Sequence, residues 1–448
     1  MITAEQARGR CAQLIELALK QGADAADAVT SASSSENVSV RLGKLEDVER
    51  SEGEEIGLRV FVGQRSATIS TSDFSKAAFA ELVERVVAMA RLAPEDQYAG
   101  LAPAELLARE TRSDLDLSDD VEPTPASLRA RALQMEDAAR AVTGISKSGG
   151  ASAGFSRSVA ALVTSHGFSG GYESTSHALS TSLIAGEGDA MQRDYEYRAA
   201  HHLDDLPGPE AVGLIAAERT IARLRPGKMP SGSMPVLFDP RVSGSLIGHL
   251  LGAMSGMSAA RRSTFLLDRM EDKIFPVSIR ILDDPHLPRG PRSRPFDGEG
   301  LSTAPRDLVA DGRITGWLQN SASARQLGLS PTGHAARSGA SAPGISASNV
   351  HIEAGPLSRE AMIAETGDGV LITELVGQGV SGLTGDYSRG ASGFRIRNGA
   401  LAEPVSDFTI AGNLLQMFAA LTPASDLEMY RAVNAPTLRV EGMTIAGE

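Results

Sequence analysis

The chain has 448 residues, of which 42% are apolar and 22% charged, and a net charge of −13. That balance fits a soluble globular protein of two or three domains with large cores, and no run of 18 apolar residues predicts a membrane-spanning helix. Residues 1–125 hold 23 acidic and 13 basic side chains (−10), leaving −3 for the rest, whereas direct nucleic-acid binding calls for a basic face. The first ten residues lack the basic-then-apolar pattern of a secretory signal. A single cysteine, Cys11, rules out an internal disulfide framework and fits a reducing cytoplasm, with Cys11 a small buried residue on a helix.

Thr3 and Gln6 form a capping box for a helix with Cys11, Leu14, Ile15 and Ala18 on one face, ended by Gly22. Strand-like runs follow at 27–32, 37–42 and 45–50. A hairpin over 56–70 turns at Gly63-Gln64, where a first-position glycine suits a type II′ turn. A second helix carries Phe79, Leu82, Val83, Val86, Val87 and Ala90 and stops before Pro94. Residues 92–125 read as a proline- and acid-rich linker or wrapping loop.

Thr124 caps and Pro125 opens a third helix with Leu128, Ala132, Met135, Ala139 and Val142 on its stripe. Strand patterns at 148–156, 159–165, 172–187 and 190–200 lead to a helix over 209–224. Helix–strands–helix thus occurs twice, predicting two similar α+β units or one shared sheet. Pro226–Ser233 marks a boundary. Beyond it, Asp311-Gly312 and Asn398-Gly399 are type I′ hairpin signals in a glycine-rich, predominantly β stretch crossed by the helix of the 240s and two or three others. The expected organisation is an α+β fold with antiparallel sheets under covering helices at 1–125 and 126–226, the second of which can merge with the first, followed by a β-rich domain at 232–448.

The most informative stretch is Gly244–Leu267, G-S-L-I-G-H-L-L-G-A-M-S-G-M-S-A-A-R-R-S-T-F-L-L. Pro295-Phe296-Asp297-Gly298-Glu299-Gly300, Thr373–Val380, Gly385–Phe394 and Ile410–Leu414 follow in order. This set, spread over roughly residues 232–447, resembles the TldD/PmbA family, known as modulators of DNA gyrase, which pairs a zinc peptidase subunit with a metal-free relative. The resemblance aligns the zinc subunit's H-E-x-x-x-H with Gly244–His249: Gly244 stands at the first histidine, Ser245 at the glutamate, and only His249 remains. The family's cysteine ligand falls in the segment Tyr430–Thr437, which has no cysteine. A zinc site needs about three protein ligands, so the resemblance implies the metal-free type: no metal and no catalytic residue in this chain, with zinc carried by the partner subunit.

Other residues bear on chemistry. His249 is read either as a relic ligand facing a peptide channel or as a packed histidine; residues five apart on a helix point about 140° apart, which disfavours a shared metal. His201-His202 beside Asp204-Asp205 read as a solvated loop before Pro207. His166, His177, His286, His334 and His351 lack ligand spacing. Gly377-Gln378-Gly379 and Gly385-Asp386-Tyr387-Ser388 are candidate peptide- or channel-lining segments. A serine hydrolase with Ser388 as nucleophile and His249 or His334 as base is an alternative, although no G-x-S-x-G elbow occurs.

The resemblance implies a subunit that pairs with a zinc-bearing homologue, or with itself, to enclose a proteolytic chamber for unfolded or extended peptides of the microcin-precursor or antitoxin type. A stand-alone regulatory or binding protein acting on gyrase or another protein remains the alternative. Neither nucleic acid nor membrane is an expected partner.

Overall fold

The computed structural model describes residues 1–109, 112, 114–337 and 339–448. The N-terminal half comprises α1 (Ala4–Lys20), β1 (Ala25–Arg41), β2 (Lys44–Val62), β3 (Arg65–Thr71), α2 (Lys76–Leu92), α3 (Pro125–Arg140), β4 (Ile145–Thr164), β5 (Ser169–Ala185), β6 (Gln192–Ala200) and α4 (Pro209–Ala222). Its strands make one antiparallel sheet in the order β3-β2-β1-β4-β5-β6, so both helix–strands–helix units share a sheet through β1 and β4.

Side chains alternate along a strand, and β1 uses this to bury one parity toward each of its ends. Ala26 and Ala28 pack under α1 and α2 with Ile56, Leu58 and Val60. Val38 and Val40 pack with Ala151, Ala153 and Leu179 under α3 and α4. All four helices therefore cover one face of the sheet. The capping box at Thr3 and the Thr124/Pro125 start are present as the sequence predicts.

The runs at 27–32 and 37–42 are not separate strands. They join across Ser33–Glu36, a run of weak strand formers that is paired on both sides, with β2 and with β4. Ladder partners on both edges outweigh local propensity. The β1–β2 turn at Leu42-Gly43, with φ of 54° and 74°, was not a predicted turn. The buried Glu136 carboxylate of α3 accepts both turn amides, from Leu42 at 2.8 Å and Gly43 at 2.9 Å.

The C-terminal half comprises β7 (Gly232–Phe238), α5 (Pro240–Ala253), α6 (Gly256–Ala260), β8 (Ile281–Asp284), β9 (Arg306–Ala310), β10 (Arg313–Ile314), α7 (Ser321–Leu327), β11 (Ala335–Ala336), β12 (Gly344–Ile345) and β13 (Asn349–Ile352). It continues with α8 (Arg359–Thr366), β14 (Gly369–Val380), β15 (Asp386–Arg397), β16 (Ala400–Asn413), α9 (Leu414–Ala419), β17 (Leu421–Pro423), β18 (Val433–Asn434) and β19 (Leu438–Ala446). Strands pair in the order β16-β15-β14-β7-β19-β17, and β19 also pairs with β16, which closes a barrel. Val236, Phe238, Val370, Ile372, Ile410, Val440 and Ile445 belong to its core, with Leu246, Ile247 and Leu250 of α5 packed among them. The turns at Asp311-Gly312 and Asn398-Gly399 have positive φ at both residues, as a type I′ hairpin requires.

The stretch 92–125 wraps onto the C-terminal half. Ala108 N–H donates to the Gly300 carbonyl at 2.9 Å, and the Arg325 guanidinium donates to the carbonyls of Tyr98 and Leu101. The outer face of the six-stranded sheet meets the same half at Asp27, which accepts from both Arg59 and Arg337. No helix among the described residues is long and apolar enough to cross a membrane.

Candidate functional site

Helix α5 carries Gly244, Ser245 and His249, the three residues that the resemblance sets against the zinc motif. Asp239 caps it by accepting from Arg241 N–H at 3.0 Å, and Pro240 occupies its first turn, where a missing N–H costs nothing. Gly244 faces the segment Tyr430–Thr437: a Cβ built on it would lie 3.0 Å from the Val433 carbonyl oxygen. Beside it the Ser243 hydroxyl donates to the Ala435 carbonyl at 3.1 Å. The Ser245 hydroxyl is turned back onto its own helix, donating to the Val242 carbonyl at 2.6 Å. The start of α5 and the segment Tyr430–Thr437 are thus neighbours in space.

His249 points elsewhere. Its ring meets the edge of Tyr387 on β15, centroids 6.0 Å apart and planes at 80°. Burial lowers the imidazole pKa and nearby Arg389 lowers it further, so the ring is neutral at pH 7. Its Nε2 and the Tyr387 hydroxyl are both buried without a hydrogen-bond partner among the described residues. An aromatic edge and a cation are poor company for a metal ion. Among the described residues no group of three or more His, Cys, Asp or Glu side chains converges to hold one, so the donor set here does not fit zinc.

The two glycine-rich candidate segments form one structure, the tip of the β14–β15 hairpin. Gly379 pairs with Ser388 and Val380 with Tyr387. Gly377, at φ 82°, makes the bulge that shifts the register, and a Cβ on Gly379 would collide with the Ser388 carbonyl at 2.3 Å. Gln378, Asp386 and Ser388 are exposed, while Tyr387 and Gly385 are buried. Asp386 accepts from the Thr384 hydroxyl at 2.7 Å and Asn413 Nδ2 at 3.2 Å, which hold its carboxyl below the usual range. On the other side, β14 pairs with β7 only through Val370–Ile372, and no described strand pairs with that edge from Thr373 to Val380.

This geometry weakens the serine alternative. Tyr387 turns inward to His249 and Ser388 turns outward, as alternation along a strand requires. His334 is committed elsewhere, with Nε2 2.9 Å from Asp283 and Nδ1 2.8 Å from the Thr332 hydroxyl.

His201 and His202 are not a solvated loop. His201 lies 2.6 Å from the Thr175 carbonyl and 3.2 Å from that of Gly290, so it ties the sheet to the C-terminal half. His202 Nε2 lies 3.0 Å from the Asp116 carbonyl. His177 packs at a tilt against Phe155, with centroids 4.9 Å apart, and sits 3.1 Å from Asp119.

One group went unnoticed in the sequence. Asp194 receives Arg241 in a two-pronged contact at 2.7 and 3.1 Å, with Arg223 at 3.3 Å, and so pins the start of α5 to β6. Burial raises the Asp194 pKa, but these arginines outweigh it and hold the carboxyl low. The signal was the alternation Asp194-Tyr195-Glu196-Tyr197, in which the acids face inward.

Models of the PmbA/TldA metallopeptidase family match three parts of the chain: domain 1 at residues 26–90, the central domain at 115–224 and the C-terminal domain at 231–447. The metalloprotease PmbA of Escherichia coli O157:H7 is 41% identical over 427 residues, spanning 95% of this chain and 93% of that protein. A PmbA homolog of Haemophilus influenzae is 38% identical over 97% of this chain and 94% of its own length. The crystal structure of a putative modulator of DNA gyrase from Bacteroides thetaiotaomicron superposes with a TM-score of 0.91 at 27% identity, covering 100% of both chains. TldE from Thermococcus kodakarensis shares the fold, with a TM-score of 0.87 at 22% identity over 98% of this chain and 100% of that one. With all three parts matched and a relative this similar along nearly its whole length, the chain belongs to the PmbA/TldD metallopeptidase family.

Proposed function

We propose that this chain is the metal-free subunit of a two-subunit zinc metalloprotease and holds extended peptides for a zinc-bearing homologue to cleave. The observation that carries the reading is the fate of α5. Gly244 and Ser245 occupy two of the three motif positions, the remaining His249 packs against Tyr387, and no three His, Cys, Asp or Glu side chains converge among the described residues. The hairpin tip supports peptide holding. An extended peptide adds readily to an unpaired strand edge through main-chain hydrogen bonds, which read backbone rather than side chains. The stretch Thr373–Val380 offers such an edge, and at Gly377 the space around a Cβ is open to another backbone.

The test is zinc content and peptidase activity of the chain alone and with a homologue bearing H-E-x-x-x-H. The expected result is no stoichiometric zinc in the isolated chain, a heterodimer by light scattering, and cleavage of an unfolded peptide only by the pair. One zinc per isolated chain, lost in His249→Ala, overturns the reading. A self-paired chain that cleaves peptides without the homologue overturns it as well.

A further inference from the structure

Between the outer face of the six-stranded sheet and the C-terminal half lies a cavity of about 180 Å³, several times the space one water needs. Val29, Leu162 and Tyr172 line it from the sheet, and Arg294, Phe296 and Arg337 from the other side. Phe296 packs edge-on against Phe168 at 4.8 Å and Tyr172 at 5.7 Å, so much of the wall is apolar and rigid.

The two guanidiniums are the exception. The Arg337 side chain is only 3% exposed; its Nη1 is given to Asp27, while Nε and Nη2 are buried with no partner among the described residues. Arg294 donates from Nη2 to the carbonyls of Ser346 at 2.8 Å and Gly333 at 3.5 Å, and its buried Nε has no partner either. Neither arginine has a carboxylate to itself. Asp27 is shared with Arg59. Asp297, which also lines the cavity, spends its oxygens on the backbone N–H groups of Glu299, Leu301 and Ala335. Burial, with Glu299 close by, pushes its pKa up to about 7, so near neutrality it is a poor counterion. Buried charges are ordinarily paired, and a guanidinium fork matches the two oxygens of a carboxylate.

We infer that this interdomain cavity binds a small carboxylate with a short apolar tail. The guanidiniums of Arg294 and Arg337 take the carboxylate, and the tail lies against Phe296, Leu162 and Val29. A free short-chain acid and the C-terminal residue of a peptide share this chemistry. The site needs neither zinc nor a partner subunit and stands apart from the reading of α5.

Isothermal titration of the full chain with 3-methylbutanoate, against the neutral 3-methylbutanamide of the same shape, tests it. Saturable heat is expected for the acid, with binding of the amide at least about ten-fold weaker. Two variants separate the parts of the site: Arg294→Gln removes one cation, and Ala160→Met fills the cavity from the sheet face with the charges intact. Each should weaken binding at least about ten-fold while circular dichroism and melting temperature stay near wild type. Comparing N-acetyl-alanyl-leucine with its C-terminal amide sorts the sources. A peptide acid binding tighter than 3-methylbutanoate, with its amide not binding, assigns the site to peptide C-termini. The reverse order assigns it to free acids. No saturable heat for any acid, equal binding of acid and amide, or wild-type binding by both variants overturns the proposal.

Discussion

Gly244 on α5 and Val433 stand so close that the helix has room for hydrogen but not comfortably for carbon: a Cβ would sit 3.0 Å from the Val433 carbonyl oxygen. A side chain at position 244 would therefore press on the backbone of the segment Tyr430–Thr437.

Rebuilding the motif by Gly244→His with Ser245→Glu should accordingly fail to make a peptidase. The imidazole must displace Val433, and overpacking of this kind costs about 1–3 kcal/mol, more than the roughly 1 kcal/mol gained on removing a helical glycine. Thermal melts should show a destabilised protein, and elemental analysis no stoichiometric zinc. Tight zinc binding at unchanged stability would show that the segment yields easily.

Ser388→Ala should leave the peptidase activity of the assembled pair within a few-fold of wild type. Ser388 is exposed on the face of β15 opposite the Tyr387–His249 contact. A serine nucleophile would instead lose at least about 10³-fold on this change. A loss of that size in a pair that still assembles would restore the serine-hydrolase reading.

Tyr387→Phe removes a buried hydroxyl that has no partner. A buried polar group without a hydrogen bond costs about 1–3 kcal/mol, so the variant should melt at the same temperature as wild type or above it. A marked fall in melting temperature would reveal that the hydroxyl is satisfied in solution.

Two aspartates should give opposite pH dependences. Burial raises the Asp27 pKa, but Arg59 and Arg337 outweigh it and hold the carboxyl low. Its contribution is present above the unfolded value of about 3.9 and lost as pH falls through the folded value. Asp27→Asn leaves two buried arginines without their carboxylate and should cost about 3–5 kcal/mol at pH 7. Asp297 runs the other way, with a folded pKa of about 7 set by burial and by Glu299. Its contribution is present below about 3.9 and declines until pH passes about 7. Relative to Asp297→Asn, the wild type should lose up to about 1.4 kcal/mol per pH unit within that window. Chemical denaturation at several pH values measures both, and parallel slopes for wild type and Asp297→Asn would contradict the second.

Features encoded within one turn or one helix were legible in the sequence. The capping box at Thr3, the proline start at 125, and the paired positive-φ turns at Asp311-Gly312 and Asn398-Gly399 all depend on neighbours a few residues away. Features made by distant partners were not. Ser33–Glu36 is strand only because β2 and β4 flank it, and the Leu42-Gly43 turn is held by Glu136 from another helix. At the site, Gly244, Ser245 and His249 could be picked out by resemblance alone. That His249 would meet Tyr387, and Gly244 the segment Tyr430–Thr437, depends on barrel packing that spacing does not encode.

The pairing of β19 with both β7 and β16 has a consequence for how the C-terminal half is made. During synthesis β7 emerges long before its β19 neighbour, and until then β7 and β16 each present an open edge. Unpaired edges are templates for wrong pairing between chains, and structures built on contacts so distant in sequence form slowly. A nascent chain halted before Leu438 would therefore hold a split cylinder rather than a smaller stable one, and its apolar lining would be a target for chaperones.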